Sequence, residues 1–171
     1  MKVLEFSIEQ QLCSEWCWAA VTAAICSCYG DENAPDQRAV VDMIVGGGAG
    51  SGCGDCQKDP SLPCNTPWSV IAALADSNVR HAGASSPFNQ FSDVVTQIAK
   101  CRPIVVEVAL EESAASIHAI VIYGYSDDGK VLIADPMRAG DKISVDFGQL
   151  RASNSPDYHA TWQTAYRTLP K

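Results

Sequence analysis

The 171-residue chain has twelve Lys and Arg against twenty Asp and Glu, a net charge of -8, and 47% hydrophobic residues. That length suits one domain with a real core, and the acid excess argues against nucleic acid or acidic membrane as a partner, since both call for a basic surface. No apolar run approaches the ~18 residues of a membrane span, and the start, Met1-Lys2-Val3-Leu4, lacks the sustained apolar stretch of an export signal. A soluble chain is therefore expected.

In chain order, the first part reads as helical. The apolar run Trp18 to Ile25 predicts a helix over about 17–28, and Asp36 capping Val40, Val41 and Ile44 predicts another over about 36–45. Two further helices are expected at about 67–76 and 90–100. Past residue 100 the pattern changes. Pro103 opens Ile-Val-Val-Glu-Val-Ala-Leu, Ile117 to Tyr125 is mostly apolar, Asp127-Asp128-Gly129 signals a hairpin turn, and Val131 to Ala134 returns. Lys142 to Phe147 and Ala160 to Thr168 read as further strands. Helices first and a mostly antiparallel sheet afterwards predict an α+β domain spanning 1–171, with a helical lobe over about 1–100 and a sheet lobe over about 101–171.

Eight cysteines stand at 13, 17, 26, 28, 53, 56, 64 and 101. Cys17 sits just ahead of the first helical run. A thiol at a helix N-terminus meets unpaired N–H groups and the positive end of the macrodipole, both of which favour a thiolate. If Cys17 stays free, the remaining seven cannot all pair, so at least one more is free. The glycine-rich stretch from Gly46 to Cys56, followed by Cys64, reads as a stapled or reduced loop ahead of zinc, because no second Cys-x-x-Cys supplies the other ligands. Neither a metal nor a cofactor is implied.

A nucleophilic cysteine needs a base. His81 and His159 lie in polar, loop-like surroundings and read as surface residues, whereas His118 stands at the head of an apolar strand, where a rigid element can hold it at a cleft. Counting outwards from the Asp127 to Gly129 turn brings Asp135 within a residue or two of His118. Pro136 holds Asp135 extended. Its carboxylate can then accept from one ring nitrogen and leave the other for a thiol. The competing reading is that Asp-Pro only ends the strand.

Gln11, Cys17-Trp18-Ala19-Ala20, His118-Ala-Ile-Val-Ile-Tyr-Gly-Tyr125 and Ala134-Asp135-Pro136 together resemble the papain-like cysteine proteases, in particular the small bacterial branch. That branch holds staphopain-like effector proteases and bacteriocin-leader peptidase domains. Trp-Cys-Trp around the nucleophile favours the effector-like side, since leader peptidases usually carry Asp-Cys-Gly there. The resemblance implies a papain-like fold, with Cys17 as nucleophile, His118 as base, Asp135 as orienting residue and Gln11 as oxyanion donor, Gln10 being its adjacent rival. It also implies a thiolate–imidazolium pair at Cys17 and His118. An aspartate where papain has asparagine marks a variant of the triad. Trp16 and Trp18 are the cleft candidates, although Trp18 could pack between the lobes and Trp16 in the core. Cys13 is a rival nucleophile that gains less from the helix.

The expected function is a cysteine endopeptidase acting on a protein or peptide substrate, as a bacterial effector or toxin delivered to a host or competitor. An immunity or inhibitor protein would then be its partner. The alternatives are another acyl-transfer enzyme on the same fold (a deamidase, transglutaminase-like enzyme or deubiquitinase), a leader peptidase, or a cysteine-rich binding module.

Overall fold

The structure, a computed structural model, describes residues 1–46, 56, 58–59, 61–76, 79–85, 87–111 and 117–171. Its helices are α1 (Cys17–Cys28), α2 (Gln37–Val41), α3 (Val70–Ala75), α4 (Phe91–Ala99) and α5 (Phe147–Arg151). Its strands are β1 (Lys2–Val3), β2 (Ala82–Ser85), β3 (Ile104–Leu110), β4 (Ile117–Tyr125), β5 (Lys130–Ala134), β6 (Ile143–Asp146) and β7 (Ala160–Thr168). The α+β expectation holds. The long strands fall where alternating or continuous apolar residues predict them, and α1 starts at the expected cysteine.

The seven-stranded sheet has the order β2-β7-β3-β4-β5-β6, with β1 pairing onto β4, and every pairing is antiparallel. β1 meets Gly124 and Tyr125 beyond the last residues of β4 that face β3. This pairing depends on Gly124, because a Cβ there would lie 3.1 Å from the Lys2 carbonyl oxygen and 3.0 Å from the Leu132 side chain. At the β4–β5 hairpin, Gly129 has φ of 87°, the left-handed value the turn requires.

Each face of the sheet is covered by a different set of helices. On one side α1, α2 and α3 bury Trp16, Trp18, Val21, Ile25, Val40 and Leu74 against Val105, Ala119 and Val121. On the other, α4 and α5 bury Val94, Ile98, Phe147 and Leu150 against Val106, Ile120, Ile122 and Trp162. Burial on both faces explains why β3 and β4 read as continuous apolar runs. It also corrects the expected division near residue 100, for β2 and α4 precede that residue yet lie with the sheet.

Several elements are shorter than expected or absent from the sequence reading. The helix expected over 36–45 is regular only to Val41 and continues as a π-helical turn over Asp42–Gly46. Asp36 caps it as expected, accepting from the Ala39 N–H at 2.8 Å. β1, β2 and α5 were not foreseen, because pieces of two to five residues carry too little periodicity. The strand expected over 142–147 ends at Asp146, whose side chain accepts from the Gln149 N–H and starts α5.

Candidate active site

Cys17 is the first residue of α1. The Ala20 N–H makes the opening helical bond to the Trp16 carbonyl at 3.0 Å, and no side chain caps this end of the helix. The segment ahead of it is tied down by its neighbours. Cys13 is joined to Cys56 in a disulfide, the Glu15 N–H donates to Asn65 Oδ1, and the indoles of Trp16 and Trp18 donate to the carbonyls of Cys64 and Thr66. The stretch 64–66 thus runs beside the segment that carries Cys17. Gln37, almost fully buried, holds the preceding loop by donating to the Gln10 carbonyl and accepting from the Leu12 N–H. Nothing in the sequence marked Gln37 for this work.

His118 lies on β4, next to Ile117, whose carbonyl oxygen is 4.0 Å from the Cys17 thiol. Its Nε2 is 2.7 Å from Asp135 Oδ1, and both side chains are almost fully buried. The expected approach of Asp135 to His118 is therefore present, and a bulge makes it work. Tyr125, Gly124, Ile122 and Val121 pair with Val131, Leu132, Ile133 and Ala134, so Tyr123 is an extra residue on β4. Extending that register sets Asp135 opposite Ile120, on the same side of the pleat as His118. Without the extra residue it would face Val121, on the other side.

Asp135 is held at both oxygens. Oδ1 also accepts from the Met137 N–H at 2.8 Å, and Oδ2 accepts from the Tyr158 hydroxyl at 2.8 Å. Burial pushes the Asp135 carboxyl up, but the bond from His118, its charge, the Met137 N–H and the Tyr158 hydroxyl outweigh it and leave the group below its ordinary value. Burial likewise works against a charged His118. The hydrogen bonds with Asp135 and the Cys17 thiol, and the charges of both, prevail and push it up to about 9. With Nε2 on the carboxylate, Nδ1 is the ring nitrogen available to the thiol. Tyr158, raised by burial and by the neighbouring carboxylate, stays a hydroxyl donor. It was missed in the sequence, where Ser155-Pro-Asp-Tyr-His read as a surface segment. Tyr158 is buried in fact, while His159 is exposed as expected.

Beside Cys17 opens a cleft of about 410 Å³, whose lining includes Trp18, Trp68, Glu15, Glu107 and Ile117. Trp18 is at this cleft, with Trp68 tilted against it at 6.4 Å. Trp16 is not among the cleft residues. It is fully buried in the core, so the cleft reading for it is corrected; Trp68, 45% exposed, is the aromatic wall instead.

Gln11 is anchored near Asp135 by its own N–H, which donates to the Pro136 carbonyl at 2.9 Å. Its side-chain amide turns inward, with Nε2 donating to the carbonyls of Cys13 and Ser14, and its buried Oε1 has no partner among the described residues. Gln10 donates to the Met137 carbonyl. In this arrangement both amides are engaged with backbone carbonyls.

Cysteine oxidation removes one rival nucleophile and the zinc reading together. Cys13 and Cys56 form a disulfide and Cys64 is also disulfide-bonded, whereas Cys17, Cys26, Cys28 and Cys101 are free. Cys53 and the glycine run after Gly46 fall outside the described residues. Among the described residues, the group with donor atoms close enough for a metal is Cys26, Asp31 and His81, within 4.8 Å of one another. His81 is not the surface residue expected. It is fully buried, with Nδ1 at 2.8 Å from the Leu169 carbonyl, Nε2 at 3.0 Å from Asp31 Oδ2, and its ring stacked on Tyr29.

The chain matches the model of the Peptidase_C39 like family over residues 3–167. It belongs to that family. Membership supports cysteine peptidase activity, hydrolysis of peptide bonds through a thiol. No curated protein matches this C39-like chain in sequence. Among solved structures it resembles one described as a C39-like peptidase from Bacillus anthracis, with a TM-score of 0.61 and 14% identity, covering 100% of this chain and 98% of that one. At that identity the likeness is one of fold. No helix among the described residues is long and apolar enough to cross a membrane.

Proposed function

We propose that this C39-like peptidase cleaves its substrate with Cys17 as nucleophile, His118 as acid and base, and Asp135 as the residue that orients and charges the imidazole. The observation that carries the reading is His118 itself, buried between the Asp135 carboxylate and the Cys17 thiol, with Cys17 on the wall of a cleft. The Cys17 thiolate attacks the scissile carbonyl carbon, and its oxygen becomes an oxyanion. The Cys17 backbone N–H stabilises that charge, joined by Gln11 once its side-chain amide swings away from the Cys13 and Ser14 carbonyls. As the tetrahedral adduct collapses, the C–N bond breaks and the leaving amine takes the proton from His118. A water molecule then loses a proton to His118 and attacks the thioester, releasing the acid and restoring the thiol. Tyr158 acts through Asp135 and is a positioning residue.

The disulfides support an oxidising compartment. With the sequence resemblance, they favour an exported effector or toxin that acts on a host or competitor protein. Iodoacetamide at mildly acidic pH tests the chemistry. Labelling confined to Cys17 and lost in His118→Ala is the expected result, whereas slow, uniform labelling of all free cysteines would sink it. N-terminal proteomics of cells expressing wild type or Cys17→Ala then identifies the target. Recovery of native protein from a reducing cytosol, with Cys13 and Cys56 as free thiols, would overturn the exported role.

A further inference from the structure

Glu107 stands one strand away from the reaction centre. In the β3–β4 register it faces Ala119, the residue after His118, at the strand spacing of ~4.8 Å, while its neighbour Val108 faces His118. The pleat turns Glu107 to the same side as Val105 and Ala119, the side on which α1 presents Cys17. Glu107 and Ala119 line the cleft that also contains Cys17. A carboxylate in mid-strand, between Val106 and Val108, breaks an otherwise apolar run, and packing alone gives no reason for it.

The surroundings leave that charge uncompensated. One oxygen, Oε2, accepts from the Tyr166 hydroxyl at 2.9 Å. Tyr166, pushed up to about 12 by burial and by Glu107, remains neutral, so it orients the carboxylate without cancelling its charge. Glu15 brings a second carboxylate to the same cleft, and among the described residues no Lys, Arg or His lines it. Among the described residues no ion pair joins Glu15 or Glu107 to a basic side chain. Apart from Ser69 and the Cys17 thiol, the remaining walls are apolar or aromatic, with Trp68 exposed and packed against Trp18. Two acids in a cleft walled by an indole suit a long cationic side chain, whose stem can lie on the ring while its head reaches the carboxylates.

We propose that this cleft is a specificity subsite for a basic side chain, arginine or lysine, next to the scissile bond, with Glu107 as its principal determinant. The inference rests on the peptidase reading above, because it takes Cys17 as the point of attack. It narrows the substrate class to peptides with a basic residue near the cut.

The test uses peptidyl vinyl sulfones that alkylate Cys17, made as pairs that carry arginine or its neutral isostere citrulline at each position along the peptide, and read by intact mass. Wild type should react about tenfold faster with the arginine member at one position, as expected of a hydrogen-bonded charge pair, and equally at the others. In Glu107→Gln, which keeps an acceptor for Tyr166, that ratio should fall towards one. Glu107→Lys should turn the preference towards a probe with glutamate at that position. Equal rates for arginine and citrulline at every position in wild type, or a ratio unchanged in Glu107→Gln, would overturn the subsite and leave the peptidase intact. Failure of every probe to alkylate Cys17 would overturn both.

Discussion

Two Cys–His–Asp groups lie at opposite ends of α1, and they differ in nearly everything except residue type. At its start, Cys17 adjoins His118 and Asp135 at a cleft. Near its end, Cys26 adjoins His81 and Asp31 in the interior. Cys26 sits in the last turn, where the carbonyl end of the helix disfavours a thiolate, and burial with the Asp31 charge pushes it up to about 11. Both ring nitrogens of His81 are already taken, by the Leu169 carbonyl and Asp31, so none is left for a thiol. Lys171 closes the group by donating to the same Asp31 oxygen. One group presents a thiol to a cleft; the other fastens the C-terminal segment to α1. Composition of a triad is therefore no guide to reactivity without helix position and a free ring nitrogen.

The largest contrast comes from the thiols. Cys17→Ala should lower peptide hydrolysis by about 10³-fold or more, while Cys26→Ala should cleave normally at temperatures where it stays folded. Loss of cleavage in Cys26→Ala alone, with an unchanged melting curve, would reverse the assignment. The histidines should divide by activity, since both belong to buried pairs. His81→Ala removes a fully buried partner of Asp31 and should cost about 3 kcal/mol by chemical denaturation, the low end for a broken buried pair because Lys171 still holds Asp31. His118→Ala should abolish alkylation of Cys17 and also cost stability, because it leaves the buried Asp135 with only the Tyr158 hydroxyl and the Met137 N–H.

A pH series separates them further. His118 lies at about 9 in the folded protein against an ordinary 6.5, so its contribution to stability is complete below pH 6.5 and is lost as pH rises to about 9. Denaturation between those limits should show a falling stability in wild type and a flatter curve in His118→Gln. Equal slopes would show that the His118–Asp135 pair is not charged. The smallest expected effect belongs to Tyr158→Phe. Removing its bond to Asp135 Oδ2 should cost about 1 kcal/mol and, by making the carboxylate a stronger acceptor, raise the pH at which His118 deprotonates, seen as a shifted kcat profile with KM unchanged. A purely structural Tyr158 would leave that profile in place.

Much of the first group was legible in the sequence. A cysteine opening an apolar helical run, a histidine heading an apolar strand and an Asp-Pro beyond a short hairpin are all local patterns, and a hairpin turns separation along the chain into proximity. Tyr158 and Glu107 were not legible as site residues. Tyr158 reaches Asp135 from a polar segment with no periodic pattern, and Glu107 reads as one acid among twenty until the pairing of β3 with β4 sets it opposite Ala119 in the cleft of Cys17. His81 misled for the same reason, since its partners Asp31 and Leu169 lie 50 and 88 residues away.

By itself the sequence determined the α+β class, the long strands, the start of α1 and three residues of the proposed catalytic group, because period, capping and hairpin length act over a few residues. Tertiary structure decided the rest: the bulge at Tyr123 that brings Asp135 to the His118 side, the inward turn of the Gln11 amide, the pairing of Cys13 with Cys56, and which of two Cys–His–Asp groups meets a cleft. Each depends on contacts between segments far apart in the chain. Such contacts form only when the two buried faces of the sheet are packed, and no local pattern encodes them.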